Sequence, residues 1–361
     1  MTALDSSLTL RCGATLPNRV ALAPLTNLQS NADGTLHDDE FTWLTRRTGA
    51  FGLVSTCAAY VSDEGKAWDG QLGIAGRSHD DGLTRLAAAI SQAGSVGIVQ
   101  LHHGGAKAEL ADVKLSTADD AEKGIRGATQ ADLDRVVDDY VSAARRAEAA
   151  GFAGVELHGA NGYLFTQFLA PADNPRSDAY GGDLAGRARL LREALHAVRS
   201  STSASFIVGV RISPVDVWTQ RGLLLADAVA LVPWLAEDGA DFIHLSLSDA
   251  AASPPHEPTT TPVVAALRDA LPKEVALTAA GGMWTRADAE AVLELGADVA
   301  VIGRAAIAHP DWPRAVQADD FEPSRPPWSP AMLRDASVGP DLLRYLQKFP
   351  GMVEGGTPAR G

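Results

Sequence analysis

The chain has 361 residues, of which 46% are hydrophobic and 21% charged, as expected of a globular protein with a large core. Its formal net charge of −14 predicts a surface that repels DNA, RNA and anionic membranes. Two cysteines are too few for a disulfide framework or a zinc site, and no metal site is expected. No leader-like or membrane-length apolar run is evident, which predicts a cytoplasmic protein.

Short apolar runs predict the strands of the fold. Most are solidly apolar rather than alternating, which is typical of strands buried on both faces of a parallel sheet. In chain order they are residues 19–23, 52–59, 96–101, 154–157, 206–211, 241–247, 275–279 and 298–302. Helical patterns lie between them, and the clearest helix, 131–150, ends at Gly151. Further helices are predicted at 38–48, 184–198, 223–237, 287–295 and 340–348, with Thr285 as the N-cap of helix 287–295.

Strands that alternate with helices over this length predict a (β/α)8 TIM barrel of the α/β class. A doubly wound open sheet is the alternative, and it ranks lower because no G-x-G-x-x-G motif follows the first predicted strand. The whole chain, 1–361, is expected to form one domain, with the barrel at about 18–310 and a C-terminal extension at about 320–361. Residues 8–17 are predicted to form a small hairpin that closes the bottom of the barrel.

The last two predicted strands end in a pattern that favours a phosphate site. Gly282 and Gly303 would let a phosphate approach the backbone closely, and a helix begins soon after each of them. Arg304 adds a charged donor. Ordinary glycine turns would explain either pair alone, but two such ends on consecutive strands, with an arginine, favour phosphate.

The stretch 154–182, GVELHGANGYLFTQFLAPADNPRSDAYGG, carries the most specific chemistry of the chain. His158 and Asn161 are neutral hydrogen-bonding side chains suited to polarising a carbonyl oxygen, and the Tyr163 phenol is suited to supplying a proton. A satisfied core histidine and an ordinary loop tyrosine are the alternatives for single residues. The stretch resembles the active-site strand and loop of the old yellow enzyme family of FMN-dependent ene-reductases, and the likeness covers the chain from residue 18 to about 310.

The resemblance implies how the chain holds FMN. The motif NRVALAPLT at residues 18–26 is similar to the family's first strand. By this likeness Pro24 and Leu25 pack under the flavin, Thr26 hydrogen-bonds the flavin C4 carbonyl, and Ala58 approaches the same edge.

The resemblance also places the two ends of the cofactor. Gln100 and Arg211 match the residues at the pyrimidine end, and the FMN phosphate is expected at the loops of Gly282, Gly303 and Arg304. An arginine suits the pyrimidine end independently, because reduced flavin carries negative charge near N1. A salt bridge at the barrel mouth is the alternative explanation for Arg211.

By the same resemblance, His158 and Asn161 bind the electron-withdrawing group of the substrate through hydrogen bonds, and Tyr163 donates the proton. The implied activity is an FMN-dependent ene-reductase that takes hydride from NADPH or NADH and reduces α,β-unsaturated carbonyl or nitro compounds, as a monomer or homodimer. Another flavin barrel activity, such as demethylation or dehydrogenation of a small amine or alicyclic compound, is the runner-up. A non-catalytic flavin-binding barrel is a further alternative.

Other polar residues are assigned lesser roles. His102 is expected to face the substrate space, His103 to orient its loop, and His244 to be structural or exposed. Cys57 is expected in the core as a small hydrophobe. The acidic residues 38–40 are interpreted as a solvated face.

Overall fold

The structure, a computed structural model, describes residues 3–215, 222–318 and 320–357. Its centre is a closed barrel of eight parallel strands in the order β6-β7-β8-β1-β2-β3-β4-β5. Numbered along the chain, the barrel strands are β1 (Val20–Leu22), β2 (Leu53–Tyr60), β3 (Val96–His102), β4 (Gly154–Gly159), β5 (Ile207–Ile212), β6 (Phe242–Ser246), β7 (Ala276–Ala280) and β8 (Val299–Ile302).

The predicted TIM barrel is therefore confirmed, and the open doubly wound sheet is excluded because β8 pairs with β1 to close the ring. All eight predicted strands are present, with ends that differ from the predicted ones by at most two residues. The strands are buried along nearly their whole length, which is why their sequences are apolar on both faces.

The helices cover the outside of the barrel. In chain order they are α1 (Asp38–Thr45), α2 (Asp80–Gln92), α3 (Gln130–Ala149), α4 (Leu164–Leu169), α5 (Leu184–Ser201), α6 (Leu225–Glu237), α7 (Val263–Ala270), α8 (Arg286–Glu294), α9 (Arg304–Ala308), α10 (Trp312–Ala315), α11 (Pro330–Asp335) and α12 (Pro340–Leu346). Thr285 caps α8 as predicted, because its side chain accepts a hydrogen bond from the backbone of Asp288. Within the described residues, no helix is long and apolar enough to span a bilayer.

The lower half of the barrel is filled with apolar side chains and closed by the predicted hairpin. Strands Leu8–Thr9 and Thr15–Leu16 pair antiparallel, and Leu10 and Leu16 pack against the barrel interior. Phe242 occupies the interior beside Gly209, where an added Cβ would lie only 2.1 Å from the phenyl ring. The apolar plug leaves the opposite, C-terminal end of the barrel for polar groups.

A fully buried arginine ties the C-terminal extension to the barrel. The Arg47 guanidinium donates to the carbonyl oxygens of Ala306 (3.0 Å), Ile307 (3.0 Å) and Ala336 (3.2 Å). It also lies over the Trp43 ring, 4.0 Å from the centroid. Because these carbonyls come from α9 and from the turn after α11, Arg47 fixes the extension beside the barrel mouth.

The interpretation of residues 38–40 as a solvated face is wrong for Glu40. This carboxyl is fully buried and accepts hydrogen bonds from Ser30 Oγ and from Cys57 Sγ, the latter at 2.5 Å. Burial raises the pKa of Glu40, which favours the neutral acid. Cys57 is buried as predicted, but it also donates a hydrogen bond, so it is more than a small hydrophobe.

Candidate active site

Three neighbouring strands bring polar side chains together at the C-terminal end of the barrel. In the parallel ladder His158 of β4 stands opposite Arg211 of β5, and Arg211 stands opposite His244 of β6. Residues in register on adjacent strands share a face of the sheet, so all three side chains belong to one layer. All three are buried.

A tight turn after β4 carries the other two predicted catalytic residues. Asn161 and Gly162 both adopt left-handed backbone conformations, with φ of 61° and 77°. The backbone N–H of Tyr163 donates to the Ala160 carbonyl at 3.4 Å, which closes the turn. Asparagine and glycine are the residues that tolerate this geometry best, and the reversal returns Tyr163 toward the strand end.

Tyr163 packs in a cluster of aromatic and imidazole rings. Its ring centroid lies 4.3 Å from that of His102 and 5.2 Å from that of His158, both in edge-on arrangements. Trp68 lies 5.3 Å from His102 and 6.2 Å from Tyr163. The structure thus brings the predicted His158 and Tyr163 together, and it places His102 in contact with both Trp68 and Tyr163.

Burial keeps His158 and His102 neutral, and hydrogen bonds determine which ring nitrogen carries the proton. The pKa of His158 lies well below its ordinary value because the ring is buried, with His102 and Arg211 adding repulsion. Burial likewise lowers the pKa of His102 to about 3. His158 Nδ1 accepts from the Ala160 N–H at 3.2 Å, and His102 Nδ1 accepts from Gln71 Nε2 at 3.0 Å. Each neutral ring therefore carries its proton on Nε2.

The Tyr163 hydroxyl holds its proton firmly. Burial raises the pKa of Tyr163 to about 12, with a further contribution from Tyr345. Arg211 acts in the opposite direction but does not outweigh burial. At neutral pH this phenol is therefore protonated, which is the state that a general acid requires.

Serine hydroxyls orient the Asn161 amide. Asn161 Oδ1 accepts from Ser246 Oγ at 3.2 Å and from Ser213 Oγ at 3.5 Å. Ser246 in turn accepts from Arg211 Nη2 at 2.9 Å. Because the amide oxygen is engaged by these hydroxyls, the Nδ2 group is left to donate to another molecule.

A cavity of about 290 Å³ opens beside these residues. Pro24, Leu25 and Thr26, which follow β1, line it together with Asn161 and Arg211. The other lining residues are mainly apolar, and three of them belong to the C-terminal extension: Leu342, Tyr345 and Leu346, in addition to Trp43 and Ile307.

The cavity fits a flavin. Within the described residues Arg211 Nε is buried without a hydrogen-bond partner, so a charged donor stands ready for an acceptor that protein atoms do not supply. Apolar Pro24 and Leu25 line the same cavity as a buried guanidinium. This combination suits a flat ring system with one polar edge that accepts hydrogen bonds and can carry negative charge.

Gln100 and Ala58 lie at the ends of neighbouring strands, but neither is among the residues that line this cavity. They stand opposite each other in the ladder between β2 and β3, and both are buried. Gln100 Nε2 donates to the Glu156 carboxylate at 2.6 Å. The Ala58 carbonyl accepts from Gln71 Nε2 at 3.0 Å.

The predicted phosphate residues also lie outside the cavity lining. The ladder pairs Ala280 with Val301, so Gly282 and Gly303 follow their strands at equivalent positions. Gly282 has φ of 69°, and an added Cβ at Gly303 would meet only side chains, the nearest at 3.7 Å. Arg304 is exposed and lies 6.0 Å from the Trp284 ring.

Sequence reasoning missed several residues of this region. Glu156 and His244 form a buried pair inside the barrel, with His244 Nδ1 2.8 Å from Glu156 Oε2. A signal for Glu156 was present, since a carboxylate inside the apolar run GVELH is costly to bury without a partner. Ser213 and Tyr345 gave no such signal, because their positions depend on how separate strands and the C-terminal extension meet.

Comparison with known proteins identifies the family. The profile of the NADH:flavin oxidoreductase / NADH oxidase family matches residues 8–320. The chain is 35% identical over 317 residues to the probable NADH-dependent flavin oxidoreductase YqiG of Bacillus subtilis, covering 84% of this chain and 85% of that protein. It is 33% identical over 314 residues to an NADPH dehydrogenase of Bacillus licheniformis, covering 84% and 90%. The chain belongs to this family.

The family includes the old yellow enzymes, so the resemblance seen in the sequence is confirmed. Among solved structures, the old yellow enzyme homologue from Zymomonas mobilis shares the fold, with a TM-score of 0.77, 24% identity, and coverage of 89% of this chain and 94% of that one. Members of the family are FMN-dependent oxidoreductases that use NADH or NADPH, and this chain is one of them.

Proposed function

We propose that this oxidoreductase reduces the activated C=C bond of α,β-unsaturated carbonyl or nitro compounds. The observation that carries the proposal is a set of three fixed donors. The Asn161 amide lines the cavity with its oxygen engaged, and the adjacent ring cluster holds a neutral His158 with its proton on Nε2 and a protonated Tyr163. This set matches a substrate that carries one electronegative oxygen and needs one proton.

His158 and Asn161 bind the substrate oxygen in this proposal. Both donate hydrogen bonds without carrying charge, so they stabilise negative charge as it develops on the oxygen during reduction. Their orientations are set before substrate arrives, by the Ala160 N–H for the imidazole and by two serine hydroxyls for the amide.

Tyr163 protonates the α-carbon. Its raised pKa keeps the hydroxyl protonated until a carbanion-like carbon forms beside it, and its packing against His102 and His158 restricts the ring. FMN, when bound, supplies the hydride that reduces the β-carbon, and Pro24, Leu25, Thr26, Ala58, Gln100, Arg211, Gly282, Gly303 and Arg304 are the residues proposed to hold it.

Substitutions at Tyr163 and at the cavity-lining Tyr345 give a direct test. NADPH consumption is measured with 2-cyclohexenone for the wild type, Tyr163→Phe and Tyr345→Phe, together with the rate of flavin reduction by NADPH alone. We expect Tyr163→Phe to lower enone reduction by about 10²–10⁴-fold while flavin reduction remains intact. Tyr345→Phe, which removes the hydroxyl of a cavity-lining tyrosine, should change enone reduction by no more than a few-fold.

A different pattern would contradict the assignment. Equal losses in the two variants would show that Tyr163 is not the specific proton donor. A wild-type enzyme whose flavin is reduced by NADPH but does not reduce 2-cyclohexenone or a nitroalkene would remove activated alkenes from the substrate class.

A further inference from the structure

A buried carboxylate lies at the centre of the polar network inside the barrel. Glu156 is 1% exposed and is held by two partners, Gln100 Nε2 at 2.6 Å and His244 Nδ1 at 2.8 Å. Despite burial, its pKa lies below the ordinary value, because the hydrogen bond from His244, the charge of Arg211 and the hydrogen bond from Gln100 favour the charged form. Glu156 is therefore an anion that only accepts hydrogen bonds.

Because Glu156 can only accept hydrogen bonds, it determines the orientation of the Gln100 amide. The Gln100 atom facing Glu156 must be the NH2 group, since an amide oxygen at 2.6 Å from a carboxylate would be repelled. The Gln100 oxygen is consequently directed away from Glu156. A carbonyl acceptor in this position matches a ligand edge that carries an N–H donor, such as N3–H of the flavin pyrimidine.

The same carboxylate determines the tautomer of His244 and balances a buried cation. Burial lowers the pKa of His244, so the ring is neutral and its Nδ1 carries the proton donated to Glu156. The negative charge of Glu156 opposes the positive charge of the buried Arg211 guanidinium. Glu156 thus serves both Gln100 and Arg211, the two residues predicted to contact the pyrimidine end of FMN.

We propose that Glu156 is a positioning residue for the cofactor: it fixes the Gln100 amide with its oxygen toward the flavin N3–H and offsets the charge of Arg211. The inference rests on the proposed placement of Gln100 and Arg211 at the pyrimidine edge of FMN. It gives Glu156 two separable effects, one on the affinity for oxidised FMN through Gln100 and one on the flavin reduction potential through charge.

The test is a double-mutant cycle on FMN binding. Apo-protein is prepared for the wild type, Glu156→Gln, Gln100→Ala and the double variant, and FMN affinity is measured by flavin fluorescence. We expect each single variant to bind oxidised FMN about tenfold more weakly. The double variant should be no weaker than Gln100→Ala, because Glu156 acts on affinity through Gln100.

The reduction potential separates positioning from a merely structural role. Glu156→Gln removes a negative charge near the flavin, so reduced, anionic flavin is favoured and the midpoint potential should move upward by about 30 mV, which corresponds to tenfold for a two-electron couple. Glu156→Asp keeps the charge and shortens the side chain, so it should weaken FMN binding without raising the potential. This variant also serves if Glu156→Gln does not fold.

His244→Asn is the matched control, because the asparagine amide can donate to Glu156 where His244 Nδ1 does, and FMN affinity should change less than about threefold. Two outcomes would overturn the inference about Glu156 but not the placement of Gln100. One is additive losses of FMN affinity in the double variant. The other is unchanged affinity and potential in Glu156→Gln when Gln100→Ala weakens binding. Unchanged affinity in Gln100→Ala would overturn it together with the placement of Gln100 at the flavin, while leaving the enone assay with Tyr163→Phe as a separate test of the reaction.

Discussion

The two halves of the barrel mouth are built in different ways. At the ends of β3, β4 and β5 the polar groups are side chains, and His102, His158 and Arg211 are nearly inaccessible to solvent. At the ends of β7 and β8 the predicted phosphate residues are two glycines and one exposed arginine. One half shapes charge and proton positions through buried side chains, whereas the other offers mainly backbone.

This difference determines what a substitution can do in each half. A change at the buried side chains proposed to act on the substrate, His158 and Tyr163, removes a specific donor, so it should act on reaction rates. A change in the glycine half alters how closely an anion can approach the backbone, so it should act on cofactor affinity while leaving chemistry intact once FMN is bound. The following predictions test that division.

After Tyr163, the largest effect is expected at His158. His158→Ala removes a neutral donor that is fixed by the Ala160 N–H, and loss of one such donor lowers the rate by about 10²–10³-fold. His158→Gln can place an amide N–H near the former Nε2 and should recover part of the rate. Stopped-flow reoxidation of the reduced enzyme by 2-cyclohexenone measures both variants, and equal rates for Ala and Gln would show that His158 is not a donor.

A smaller effect is expected at Arg304, and it should concern binding only. Arg304→Ala removes a charged donor from the predicted phosphate loop, so FMN affinity should fall about tenfold, with Arg304→Lys retaining part of it. At saturating FMN the rate of enone reduction should equal that of the wild type. A rate loss that excess FMN does not restore would break the division between the two halves.

The two glycines should respond differently from each other. Gly303→Ala introduces a Cβ that meets its nearest neighbour at an ordinary 3.7 Å, so thermal stability of the apo-protein should be unchanged while FMN binds more weakly. Gly282→Ala must hold φ near 69°, which costs about 1 kcal/mol, so its apo-protein should melt lower. Calorimetry of both apo-proteins measures this, and equal melting temperatures would contradict the strain at Gly282.

The smallest effect expected is that of pH on the reoxidation step. The pKa of His102 is about 3 and that of His158 is also lowered, so both stay neutral, while Tyr163, with a pKa of about 12, stays protonated. The rate should therefore be constant from about pH 5 to about pH 9. A titration near neutral pH in the wild type that disappears in Tyr163→Phe or His158→Gln would show that one of these groups changes charge.

The fold could be predicted from the sequence because its signals are local. Apolar runs marked all eight strands, and Thr285 could be recognised as a helix cap from its position alone. Candidate residues at strand ends were likewise readable once the barrel was assumed, and His158 and Tyr163 do lie side by side. Their chemical roles remain predictions.

The partners of those residues could not be predicted, because they depend on contacts between distant segments. His244 meets Glu156 across 88 residues, and Ser246 meets Asn161 across 85. Glu40 follows two acidic neighbours in an exposed-looking run, yet helix geometry turns it inward toward Cys57. The C-terminal extension carries no motif that indicates its place, and Arg47 holds it through backbone carbonyls that any sequence supplies.

The central claim is that bound FMN takes electrons from NADPH and passes them to an activated alkene in one site. The most direct measurement is the visible absorption spectrum of the purified holoenzyme under anaerobic conditions, first with NADPH and then with 2-cyclohexenone. The flavin bands should bleach on addition of NADPH and return on addition of the enone. Bands that bleach but do not return with the enone or with a nitroalkene would contradict the proposed reaction.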